Sequence, residues 1–171
     1  MSEVEQITLQ GTPLSHLWQA QHASGEPLGS IRMGVLRRRF VVTPADADHT
    51  YTVDRHAAIS RTTFPLAEPL PGKTRLALLH PASPRPIAVA NRDDGKWSST
   101  DGDRVVHYQC VARDNQTWAI ISGTFRGDTT FKGRTITARL PRDWETLDKL
   151  FALVVVHYAW IKETPIPDNP S

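Results

Sequence analysis

Arg37, Arg38 and Arg39 stand together in a chain whose first basic residue is Arg32, and no other stretch places three guanidiniums in a row. On a strand, Arg37 and Arg39 share one face and Arg38 takes the other, so two planar forks spaced two residues apart could grip a phosphate. The plainer role, a solvated strand face that discourages edge pairing, uses the same residues and is the weightier reading of the run alone. Asp93, Asp94, Asp101 and Asp103 offer hard oxygen ligands, but they lack the loop spacing and closing glutamate of an EF-hand and read as two β-turns. The seven histidines, at 16, 22, 49, 56, 80, 107 and 157, are scattered without the one-turn spacing of a helical zinc motif. Cys110 lies among apolar strand residues, with no helix start or adjacent cation to favour a thiolate, and reads as a buried inert thiol. There is no nucleophile elbow, phosphate loop or dinucleotide fingerprint. No catalytic residue, metal or cofactor is therefore assigned.

Charge narrows the partners. With 20 basic against 18 acidic residues the chain has no general field for polyanions, so nucleic acid is not expected, whereas a local anion site is compatible with the clustered arginines. The single cysteine excludes an internal disulfide and points to a reducing compartment. "MSEVEQITLQ" has neither a basic start nor an apolar core, so the expected location is cytoplasmic, with peripheral membrane contact if the arginines meet lipid.

These side chains must be positioned by strands. Short β-type runs alternate with turn clusters such as "HASGEP", "PLPGK" and "NRDDGK", which is the spacing of an antiparallel sandwich or barrel. Strands are expected at 16–22, 28–33, 37–43, 50–54, 57–63, 74–80, 86–91, 96–98, 104–112, 117–125 and 129–140. In "RVVHYQCVA", Val106, Tyr108, Cys110 and Ala112 form the expected core face; in "FKGRTITARL", Ile136, Ala138 and Leu140 alternate with Thr135, Thr137 and Arg139. After Pro141, Asp143 as cap and Glu145 in the first turn predict a helix over 143–162, and "KETPIPDNPS" ends it in a Pro-rich tail over 163–171.

"LFALVVVHYAWI", residues 150–161, is apolar on nearly every side of that helix. Twelve helical residues span about 18 Å against about 30 Å of bilayer hydrocarbon, so the segment is too short to cross alone. It also lacks the polar face of an interfacial helix. A helix apolar all round belongs in a core, and a mostly antiparallel chain can surround it by closing its sheet. The expected fold is mainly β: a single domain over 1–162, a closed antiparallel barrel of about twelve strands wrapped around a buried C-terminal helix.

The succession of strands, "RTITARLP", the short acidic cap "RDWETLDK" and the terminal "LFALVVVHYAWI" resembles the tubby C-terminal-like superfamily, which includes LURP-one-related proteins and phospholipid scramblases. "WQAQHASGEPLGSIRMGVLRRRFVVT" is similar to the opening hairpin of that family, and the likeness covers residues 14–162. The resemblance implies a twelve-stranded barrel around a central helix and a non-enzymatic domain that binds anionic phospholipid headgroups. The basic patch by which tubby domains hold lipid is matched in kind by Arg37, Arg39, Lys132 and Arg134. Two other functions remain open: a protein-interaction or regulatory module using the loops and tail, and a small-molecule barrel or enzyme with an end pocket near His107 or His157.

Overall fold

The computed structural model describes residues 3–12, 16–33, 39–55, 75–82, 86–93, 96–102 and 107–163. Twelve strands occur in chain order: β1 (Val4–Gly11), β2 (Leu17–His22), β3 (Pro27–Met33), β4 (Arg39–Pro44), β5 (Tyr51–Arg55), β6 (Arg75–Leu79), β7 (Pro86–Asp93), β8 (Lys96–Gly102), β9 (Tyr108–Asp114), β10 (Thr117–Ser122), β11 (Phe125–Lys132) and β12 (Thr135–Pro141). Each pairs antiparallel with its neighbours in sequence. β1 then meets β12, from Val4 opposite Pro141 to Gln10 opposite Thr135, which closes the barrel and leaves no free edge.

Alternation sets which side chains face in. Ile7 and Leu9 on β1, Phe40 and Val42 on β4, Leu76 and Leu78 on β6 and Ile136, Ala138 and Leu140 on β12 are all buried. The outer wall carries exposed Gln6, Gln10, Gln19, Thr130 and Arg139, and among the described residues Val4 is the exposed large hydrophobic. Such a wall is the reverse of a lipid-facing barrel, whose apolar band lies outside.

The helix α1 (Thr146–Glu163) fills the interior. Every residue from Leu147 to Ala159 is buried, including Asp148, Lys149 and His157. Among the described residues no helix is long and apolar enough to cross a membrane. The all-round apolar pattern thus has the enclosing sheet that it requires.

Several boundaries differ from the sequence expectations. The helix starts at Thr146 rather than 143, because Trp144 closes a turn onto the Pro141 carbonyl and packs its ring against Tyr108 and Phe125. The expected strand 129–140 is two strands, split at Gly133, whose φ of 60° is the left-handed conformation a tight turn needs. The expected strand 117–125 similarly ends at Ser122, where Gly123 turns the chain at φ 59°. β1 was not anticipated. On β9, Tyr108 and Cys110 face the core but Ala112 is exposed, since the register with β10 shifts between Thr117 and Trp118. Val106, the expected strand 57–63 and the tail 164–171 lie outside the described residues.

At Gly127 on β11 an added Cβ would collide with the Arg139 carbonyl oxygen of β12 and sit 2.7 Å from the Phe125 ring. Because a backbone atom cannot yield as a side chain can, Gly127→Ala is expected to lower stability by about 1–3 kcal/mol, measurable by urea titration.

Candidate functional site

In a closed antiparallel meander, alternate turns lie at the same end. Trp160 Nε1 on α1 donates to the Asn115 carbonyl in the β9–β10 turn (3.0 Å), so the helix C-terminus lies at the end where β3 meets β4 and β11 meets β12. Thr146 Oγ1 donates to Asp46 in the β4–β5 turn (3.0 Å), which places the helix N-terminus at the opposite end.

Three of the expected anion ligands belong to the helix C-terminal rim; Arg37 lies outside the described residues. Lys132 closes β11 and Arg134 occupies the following turn, both exposed, and Arg134 Nη1 donates to the Thr12 carbonyl at 3.0 Å. Arg39 opens β4, with β1, β2 and β3 between it and β12, so it is at the same end but not beside the lysine. Its guanidinium is already forked onto Asp54, with Nε at 2.8 Å and Nη2 at 3.2 Å. That hydrogen-bonded carboxylate raises the Arg39 pKa above its ordinary value. The anion ligands expected to act together are therefore Lys132 with Arg134, while Arg39 brings a charge already matched.

Other cations join this rim. Arg32 near the end of β3 and Lys96 at the start of β8 are exposed. The acidic side chains described there, Asp54 and Asp114, are occupied by Arg39 and by the backbone amide of Gln116. Just inside the rim, Arg55 Nη1 donates to the Tyr158 hydroxyl at 3.1 Å, and the Tyr158 ring meets Trp97 edge-on at a centroid distance of 5.6 Å. Sequence patterning could not find these three together, because Arg55 and Tyr158 are 103 positions apart.

His157 is buried against Trp18, at a centroid distance of 4.7 Å, in an aromatic group with Trp160, which stacks on Phe131 at 4.5 Å. His107 lies at the other end, exposed, and its carbonyl accepts from Ser122. Cys110 is fully buried and its burial pushes the thiol pKa up, the condition of an inert thiol. Asp94 and Asp103 lie outside the described residues. Among the described residues no three His, Cys, Asp or Glu side chains are grouped to hold a metal.

The helix N-terminal end is held by an ionic cluster that sequence reasoning missed. Lys149 Nζ on α1 donates to Glu5 Oε1 on β1 at 2.5 Å and to the Arg142 carbonyl at 3.0 Å, and His22 Nδ1 lies 3.1 Å from Glu5 Oε2. Burial pushes the Glu5 carboxyl pKa up, but Lys149 and His22 outweigh that, leaving it below its ordinary value. A pocket of about 640 Å³ opens beside the cluster, lined by His22, Ser24, Glu26, Arg139 and Arg142 among others. With both of its contacts on acceptors, Lys149 ties helix to wall rather than presenting a free amine.

The fold and rim define a class: a closed twelve-stranded antiparallel barrel filled by its own C-terminal helix and carrying cations at one mouth. Neither a protein-family model, nor a curated protein, nor a solved structure matches the chain.

Proposed function

We propose that the protein is a tubby-like, non-enzymatic barrel that holds anionic phospholipid headgroups at the helix C-terminal rim. The observation that carries this reading is the segregation of charge along the barrel axis. Arg32, Lys96, Lys132 and Arg134 gather at one mouth. Among the described residues, Glu3, Glu26, Asp46, Asp48, Asp143 and Glu145 surround the other, near Glu5 and the N-terminus of α1, where they outnumber Arg139, Arg142 and the buried Lys149. A mouth with cations to spare draws an anionic surface, and each Lys or Arg close to such a surface contributes about 1 kcal/mol, falling off within a Debye length. Lys132 and Arg134 supply the contacts, and Arg39 adds a charge at the same mouth, three strands away from β12.

Flotation with vesicles containing phosphatidic acid or phosphatidylserine tests the reading. Wild type is expected to float at low salt and to be released by added salt, whereas Lys132→Ala/Arg134→Ala should bind about thirtyfold more weakly, the sum of two such contacts. Arg37→Ala/Arg39→Ala is expected to reduce binding less, since Arg39 is paired. Absence of flotation by wild type at moderate salt rejects the function, and equal binding by the Lys132/Arg134 variant rejects the site.

A further inference from the structure

Beneath the cationic rim the side chains present hydrogen-bond donors in excess of acceptors. Arg55 Nε and Trp97 Nε1 are buried atoms with no hydrogen-bond partner, and Trp97 is 0% exposed. Neither group can accept a hydrogen bond, and arginine does not lose its proton. The Tyr158 hydroxyl takes one Arg55 proton at 3.1 Å and has its own left to give. Its ring packs edge-on against Trp97, so all three residues share one place. A buried donor without a partner costs about 1–3 kcal/mol, so two in one cluster mark a place built for an acceptor.

We propose that Arg55, Trp97 and Tyr158 form a site for one oxyanion, the phosphate of a phosphomonoester. Such a group brings several acceptor oxygens and up to two negative charges, matching donor-only side chains in both respects. The C-terminus of α1 opposes it with about half an elementary charge, and the full charge of Arg55 exceeds that. Arg55, last residue of β5 and half-buried, stands nearest the rim; Trp97 lies deeper. The site rests on the reading that this mouth faces anions and adds what the exposed lysine and arginine do not: a fixed, desolvated seat that distinguishes phosphate from diffuse negative charge.

The indole N–H resonances of ¹⁵N-labelled full-length protein provide the test, with Trp97 assigned from Trp97→Phe. Inorganic phosphate, titrated at constant ionic strength against sodium chloride, is expected to move the Trp97 N–H saturably. Arg55→Lys and Tyr158→Phe, both conservative enough to preserve the fold, should each raise the apparent dissociation constant about tenfold or more. Soluble dihexanoyl phosphatidic acid should move the same resonance if the phosphate is a headgroup; a response to inorganic phosphate alone makes the natural ligand a free phosphate compound. A Trp97 N–H that ignores both probes, or responds equally to chloride, overturns the site, even where anionic vesicles still float the protein. A Trp97 response without flotation leaves the site standing and removes the lipid reading.

Discussion

Val155→Asp is expected to abolish folding. Val155 is 0% exposed in the middle of a helix whose neighbours on either side, Val154 and Val156, are also buried, so no rotation of the side chain reaches water. An ionised carboxylate there lacks a partner, and protonating it instead still leaves a buried polar group, a penalty of several kcal/mol against a total stability of about 5–15 kcal/mol. The variant should be insoluble or lack a cooperative transition. Val155→Ala, which removes two methyl groups and adds no polarity, should fold and lose about 1–3 kcal/mol by chemical denaturation. A soluble Val155→Asp protein with wild-type unfolding would mean that the helix is not enclosed.

Lys149→Met is expected to have the second largest effect. It removes the ammonium that meets Glu5 and leaves a carboxylate, its side chain 9% exposed, with His22 at 3.1 Å and Arg142 at 4.0 Å. Breaking a buried pair from one side costs about 3–5 kcal/mol, whereas replacing both members with apolar groups is close to neutral. The double variant Glu5→Leu/Lys149→Met should therefore recover most of the loss, and a double-mutant cycle measures the coupling. The pair also gives stability a pH dependence of known sign. With the Glu5 pKa lowered below 4.5 by folding, its contribution is present above that value and is lost as pH falls through the lower folded-state value. Glu5→Gln should flatten the acid limb of the stability profile over that interval.

The barrel was legible because its strongest signal was negative: residues 150–161 were too short for a bilayer and too uniformly apolar for a surface. Ile136, Ala138 and Leu140 gave a clean alternation, and they are buried as it requires. β1 was hidden by Glu5, a charge at an inward position that ought to be apolar. Its explanation is Lys149, 144 positions away, and a local pattern cannot contain that fact. Arg39 tells the same story from the other direction. As one of three adjacent arginines it suggested a free anion ligand, while the residue that occupies it, Asp54, faces it from the next strand. Turns were misread where a single glycine sufficed: Gly133 reverses the chain inside what had seemed one continuous strand.

Finally, the position of α1 in the chain has a consequence for the order of events during synthesis. The strands emerge first, each with an apolar inner face, yet the segment that fills them comes after β12, and β12 is also the strand that closes the ring onto β1. At about 5–20 residues per second, the nascent sheet spends several seconds without its centre or its last seam. Folding must wait for the most distant contacts in the chain, a high-contact-order route that is slow and exposes sticky surface to its neighbours. Until the helix arrives, the apolar inner faces of the growing sheet have no central segment to cover them, so the last element to be made is the one on which the packing of all the others depends.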